Sequence, residues 1–359
     1  MSLIEAYDFI TDIKGEELSA RPSFLQKDAE VPVEMTRYFI WAMFFLEGEE
    51  EPYYYMRSLH LKKTEWAGLV KLGKTPIDPQ QEVYSNLMAQ PGVEHHFYHE
   101  TEEGSCIYEV SCDDPYFKHT YDKDGATFIE GDFLNLRATW WPLALMATDK
   151  GGYFGYGVPY SYFPCSLEGT FNGKKIVKGI GQLDRVYFPI TAKPVYSSKI
   201  SKELHTQKSD IPYGYMIYSA CCGIREDGRK ELFLAHEMNQ SGKGLAVYWL
   251  EGEKPIVTDK DVWFEGEWEE IPYCAEGKET YIFTDCTWSF EGHKVHCHNN
   301  WGCRRYSDHP EDEVKGYANA FGTFYYGDQP YEHKLSQTYC ETQISTKEYL
   351  EKFGYTLKK

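Results

Sequence analysis

The chain has 359 residues, with 37 Lys and Arg against 56 Asp and Glu, for a formal charge of −19. At 42% hydrophobic and 26% charged it is not a disordered chain, and its acidity argues against phosphate backbones and anionic headgroups as partners, so neither nucleic acid nor a membrane surface is expected. The length suits two cores better than one, and the 30 Tyr, 20 Phe and 9 Trp suit pleated, half-buried surfaces and small-molecule cavities.

Taken in chain order, residues 3–13 predict a helix. Their acids Glu5, Asp8 and Asp12 do not fit the basic and apolar regions of an export signal. The ten Cys then read as reduced, buried thiols, and a cytoplasmic protein is expected. Strands are predicted over 38–46 and 53–62 around the acidic turn 47–51. A short helical excursion is predicted over 80–89. Strands over 93–100 and 105–112 flank the turn 101–104, and 121–125 and 149–152 are further turns. The longest charge-free run, 151–167, is broken by Gly155, Gly157, Pro159 and Pro164, so no spanning helix is expected.

The clearest local signal is Asn172-Gly173 between two strand-like runs, because a type I′ turn needs positive φ at both central residues. Its two-residue loop predicts Phe171 opposite Lys174 and Glu168 opposite Val177. Residues 190–212, rich in Lys, Ser and Thr, lack alternation and read as a connection. The domains are therefore placed at 1–190 and 212–359, with a linker over 191–211.

Hairpins resume over 213–224 and 231–238 around Asp227-Gly228. Cys221 and Cys222 fall on opposite faces of the first of these strands. A strand over 244–251 follows, then 280–290 and 293–301 around Glu291-Gly292, then 316–326 and 335–343. A terminal helix is signalled by the capping box Ser345 and Glu348 and by Gly354 as its stop. Hairpin follows hairpin without alternating helices, which leaves all-β sandwiches or up-and-down barrels.

Catalytic signatures are sparse. There is no phosphate-cradling loop, no G-x-S-x-G elbow and no H-E-x-x-H, and Gly179–Gly181 does not open a helix. His296-Cys297-His298 puts two imidazoles on one strand face, near His293 and Cys303, the spacing of β-barrel metal ligands; no carboxylate follows at the matching distance, and structural histidines are the plainer reading. His95, His96 and His99 form a second group read the same way. Asp184-Arg185 and Tyr187 end a glycine-bearing strand, where charges are expensive to bury unless paired. A structural ion pair and an acid/base at a cavity floor both fit Asp184. Strand parity leaves the face open: Asp184 shares one with Ile176 and Ile180, but also with Lys178, and a glycine bulge shifts it.

Gly169-Thr170-Phe171-Asn172-Gly173-Lys174, then Val177-Lys178-Gly179 and Leu183-Asp184-Arg185, resemble the lipocalin-like superfamily of carotenoid 1,2-hydratase (hydroxyneurosporene dehydratase) and the lipocalin-like Diels–Alderases. Trp140-Trp141-Pro142, Asp227-Gly228-Arg229, Gly316-Tyr317-Ala318 and Glu341 add to the likeness, which spans roughly 126–343. Arg185 stands where the hydratases carry His. The resemblance implies two antiparallel calycin-like β-barrels side by side, with a ligand in the first barrel or between the two and no cofactor.

An aromatic cavity holding one carboxylate and several Tyr suits cofactor-free proton transfer and steering of a polyene. The expected function is therefore an enzyme acting on a terpenoid, steroid or polyketide-like molecule by hydration or dehydration, isomerisation or cyclisation. Asp184 would be acid/base and Arg185 would hold it or orient a substrate oxygen. Trp140, Trp141, Tyr160, Tyr162 and Tyr187 would shape the pocket, with His236 and Glu237 as secondary contacts. The rival readings are a non-catalytic carrier with the same cavity, a metal-dependent barrel enzyme on His296 and His298, and a sugar-binding sandwich.

Overall fold

A computed structural model describes residues 7–10, 33–60, 64–75, 77, 81–87, 94–100, 106–114, 116–122, 124–143, 145–149, 159–189, 217–237, 242–270, 281–305, 318–328, 335–343, 350–351, 354–355 and 357. The predicted linker, Ser345, Glu348 and the side chains of His95, His96 and His99 lie outside the described residues.

The described chain is almost wholly antiparallel strand. The first sheet comprises β1 (Tyr7–Ile10), β2 (Val33–Leu46), β3 (Tyr53–His60), β4 (Thr64–Lys71), β5 (Gln81–Leu87), β6 (Glu94–Glu100), β7 (Cys106–Asp113), β8 (Tyr116–Tyr121), β9 (Gly125–Glu130), β10 (Leu134–Trp140), β11 (Leu145–Asp149), β12 (Pro159–Phe171) and β13 (Lys174–Pro189). The second comprises β14 (Ile217–Arg225), β15 (Lys230–Glu237), β16 (Lys243–Leu250), β17 (Ile256–Lys260), β18 (Trp263–Glu270), β19 (Tyr281–Phe290), β20 (His293–Arg305), β21 (Ala318–Tyr326) and β22 (Leu335–Gln343). Two of these strands overturn helical expectations. Residues 7–10 pair with β11, and 81–87 lie beside β4. In both places ladder pairing outweighs a local helical pattern.

Both sheets are meanders rolled on themselves. The paths run β5-β4-β3-β2-β13-β12-β10-β9-β8-β7-β6 and β17-β16-β15-β14-β22-β21-β20-β19-β18. In each, the first long strand pairs with the last, β2 with β13 and β14 with β22. Each path ends on two consecutive strands, and among the described residues no ladder joins them.

Closure is visible in the hydrogen bonds. β3 and β9 are five strand steps apart, ~24 Å on a flat sheet at the usual strand spacing. Yet the Tyr55 hydroxyl donates to Glu130 at 2.5 Å. In the second sheet the Trp288 indole on β19 donates to Ser219 Oγ on β14 at 2.9 Å, four steps away.

Turn chemistry sets the register. Asn172 and Gly173 sit at φ 46° and 75°, the type I′ geometry, and Phe171 pairs with Lys174 as expected. The expected Glu168–Val177 pair does not form. Gly169 adopts φ 138°, and the register shifts between Ser166 and Thr170, so one extra residue is absorbed and pairing resumes at Ser166–Ile180. At the C-terminus, Tyr355 N–H donates to Leu350 O and Gly354 N–H to Glu351 O, with Gly354 at φ 77°. This is a Schellman closure at the stop residue that the sequence predicts.

Packing divides the chain into two compact units. One holds Leu3–Val70 with Glu82–Pro194, and the other Lys71–Gln81 with Val195–Lys359. Each has its own aromatic core. In the first, Phe44, Tyr55, Phe117, Phe128, Leu136 and Phe163 lie inside; in the second, Phe233, Phe264, Trp268, Phe283, Trp288 and Phe324, with Leu350 and Tyr355 of the tail and Ile77 packed against them.

Candidate functional site

Alternation along β13 settles which side each residue takes. Leu183 belongs to the interior core, as do Phe163 and Cys165 of β12 and Ile40, Ala42 and Phe44 of β2. Ile180 and Gln182 therefore fall on the other side, opposite Met43 and Trp41 in the ladder to β2. The register shift between Ile176 and Lys178 explains why Ile176 lies in the core while Ile180 does not. Asp184 shares the alternation of Gln182 and stands opposite Tyr162 on β12 and Phe39 on β2.

This second side is also dry. Trp41, Met43, Tyr54, Met56, Trp141, Tyr162, Ile180 and Gln182 are all buried, though none belongs to the interior core. Trp41 and Tyr54 pack at 6.2 Å between ring centres. The Trp141 indole donates to Ser166 Oγ at 2.9 Å. Gln182 is 1% exposed, and neither its Nε2 nor its Oε1 has a hydrogen-bond partner. Gln182 is not conspicuous in the sequence, because a neutral amide in a strand raises no charge signal.

The structure gathers some of the nominated residues and parts others. Tyr162 and Asp184 are direct ladder neighbours, as are Tyr160 and Val186, and Ser161 and Arg185. Trp141 joins the same side, whereas Trp140 packs against the interior core and donates its indole N–H to Asp122 O at 3.2 Å. Tyr187 is placed only by its pairing with Thr36. His236 and Glu237 lie on β15 opposite Tyr218 and Ile217. The side chains of Tyr160, Asp184, Arg185, Tyr187, His236 and Glu237 lie outside the described residues.

A polar cluster that the sequence did not reveal occupies the first interior. Glu130 accepts hydrogen bonds from Tyr55 (2.5 Å), from Arg57 Nε (2.5 Å) and Nη2, and from His119 Nε2 (3.0 Å). All four are buried, and the Arg57 guanidinium lies 4.6 Å over the Phe117 ring. Burial pushes the Glu130 carboxyl up, but the Arg57 charge and His119 outweigh it and hold the group down at about 2. Burial lowers His119 more than Glu130 raises it, so the imidazole is neutral. Glu130 is thus a fixed anion saturated with donors, suited to clamping strands and unsuited to giving up a proton.

The second interior repeats the theme. Arg225 donates to Glu231 at 3.1 and 2.7 Å and to Tyr248 OH at 3.1 Å, and Tyr248 donates to Glu231 at 2.6 Å. On the outer side of that sheet, each of the two histidines considered as metal ligands has its own cross-strand partner. His296 Nδ1 meets Thr287 Oγ1 at 2.8 Å and His298 Nδ1 meets Asp285 Oδ1 at 2.5 Å. Among the described residues no three His, Cys, Asp or Glu converge. A groove of about 730 Å³ lies there, lined in part by Glu265, Glu267, Asp285 and His296. Its acidic walls do not suit an apolar guest.

Comparison with known proteins supports the fold. A candidate AttH protein of Nitrosomonas europaea matches with TM-score 0.50 at 10% identity, covering 89% of this chain and 94% of its own. Kievitone hydratase of Nectria haematococca matches at 0.42 and 11% identity, covering 89% and 92%. CghA in complex with Sch210972 matches at 0.44 and 9%, covering 88% and 89%. These belong to the lipocalin-like two-barrel superfamily, and the all-β fold of this chain is the one its sequence resemblance implies. No family model and no curated protein matches the sequence.

Proposed function

We propose that this protein is a cofactor-independent enzyme acting on a hydrophobic small molecule of terpenoid, steroid or polyketide type, by hydration or dehydration, isomerisation or cyclisation. The observation that carries the reading is the second dry side of the first sheet. Trp41, Met43, Trp141 and Tyr162 are buried there, apart from the core that folds the sheet, and Asp184 stands opposite Tyr162 in the ladder. Rings and thioethers supply apolar area to a planar or polyene guest, and a carboxyl at the edge of such a surface is shifted towards the range of a general acid or base. Asp184 is assigned proton transfer, and Arg185 the orientation of a substrate oxygen or of Asp184 itself. Tyr162 and Trp141 form walls.

The test begins with organic extraction of the purified protein and mass spectrometry of whatever is released. The expected result is an apolar compound, or a precursor and product differing by water or by connectivity. With that compound in hand, Asp184→Asn is expected to lower turnover by about two orders of magnitude. Full turnover in Asp184→Asn overturns the assignment of Asp184. A ligand recovered with mass and connectivity unchanged after prolonged incubation favours a carrier instead.

A further inference from the structure

We propose that Gln182 is the recognition group of this site, and that it selects guests presenting a hydrogen-bond donor and acceptor side by side on a flat apolar body, as a lactam or carboxamide edge does. The inference rests on the reading of the dry side of β2, β12 and β13 as the ligand site.

Among the described residues several buried side chains leave one polar atom unpartnered, but Gln182 is the amide that leaves both. Asn299, for comparison, keeps one bond, from Nδ2 to Phe283 O at 2.9 Å. A buried carboxamide without partners is costly in a folded chain, so at 1% exposure this side chain stands ready for a partner that the chain itself does not supply. The ladder cannot supply one. Gln182 faces Trp41 on one side and Pro164 on the other, and the backbone groups there are committed to strand pairing. Along its own strand the same-side neighbour is Ile180, which pairs with Met43 and Ser166.

The amide fixes the chemistry of the guest. It offers one acceptor and two donors in a plane and carries no charge. Its complement is a neutral group with N–H or O–H next to C=O, engaged by two parallel hydrogen bonds. An ionised guest would be held less well, since a buried charge demands a counter-charge and not an amide. Asp184, two positions along on the same alternation, would then lie close to the guest's polar edge.

Two fluorescent probes of nearly equal size separate the outcomes: 2-quinolone, a lactam with N–H beside C=O, and N-methyl-2-quinolone, which lacks the donor. Each is titrated into the full chain, into Gln182→Met and into Asp184→Asn. The wild type is expected to prefer 2-quinolone by about tenfold, the scale of one or two net hydrogen bonds. Gln182→Met is expected to bind both equally and, relieved of an orphan amide, to melt about 2–4 °C higher than the wild type without ligand. Equal binding of both probes by the wild type, or a preference that survives in Gln182→Met, overturns the role of Gln182 and leaves the ligand site standing. A lower melting point for Gln182→Met also overturns it, since the amide would then be serving the fold. Failure of the wild type to bind either probe overturns the site reading together with the inference.

Discussion

Glu130 gathers donors from β3 and β8 across the first interior, and removing its charge leaves Arg57 buried without a counter-ion. Glu130→Gln is expected to cost about 3–5 kcal/mol in urea unfolding, while the double change Arg57→Met with Glu130→Leu loses much less, because no charge is then stranded. The same cluster makes the fold acid-sensitive. His119 is kept neutral by burial below its ordinary 6.5, so the unfolded chain takes up a proton that the folded one refuses. Glu130 is held ionised down to about 2 against an ordinary 4.5. Both contributions are present at neutral pH and lost as pH falls, first below 6.5 through His119, then between 4.5 and about 2 through Glu130, the latter worth roughly 3 kcal/mol. The urea midpoint should therefore drop between pH 7.5 and 5.5, and His119→Gln should flatten that step; a wild-type midpoint unchanged over this range would contradict it. None of this is legible in the sequence. Tyr55, Arg57, His119 and Glu130 sit on strands whose ends meet only when the sheet rolls up, and each alone reads as an ordinary strand residue.

At the level of elements, short turns carried the most readable information. Asn172-Gly173 and Glu291-Gly292 both turn with positive φ at both residues, a conformation few sequences tolerate, so the amino-acid order alone locates these hairpins. The glycines of β13 were legible as unusual but not as to purpose. A Cβ on Gly181 would meet the Trp41 carbonyl oxygen at 2.3 Å, so Gly181 lets β2 and β13 close the sheet. Gly181→Ala is expected to cost about 1–3 kcal/mol by overpacking, measured by chemical denaturation. Strands without such punctuation were missed. Residues 263–270 alternate only loosely, with burial pattern eBeieBie and Glu265, Glu267, Glu269 and Glu270 on the strand, and so gave no period-2 signal. Asp184 was picked out by its charge and its place at a strand end, whereas Gln182, two residues earlier, needed the count of hydrogen bonds that only a fold provides.

For the molecule as a whole, a charge of −19 means that compaction works against self-repulsion. Raising NaCl from 10 to 150 mM shortens the Debye length to about 8 Å and is expected to raise the melting temperature; a flat response would place the acids in compensating pairs. The two-core organisation was legible from length and hairpin spacing, but the path of the chain between the cores was not. The segment Lys71–Gln81 interrupts the first unit and groups with the second, where Ile77 packs against the core. In vectorial synthesis this piece leaves the ribosome long before β14 begins at Ile217, so its final partners do not yet exist when the strands on either side of it pair. A gene cut between 195 and 216 would accordingly divide one hydrophobic core between two polypeptides. Each half expressed alone would be prone to aggregate, and co-expression of both would be the route to a soluble product.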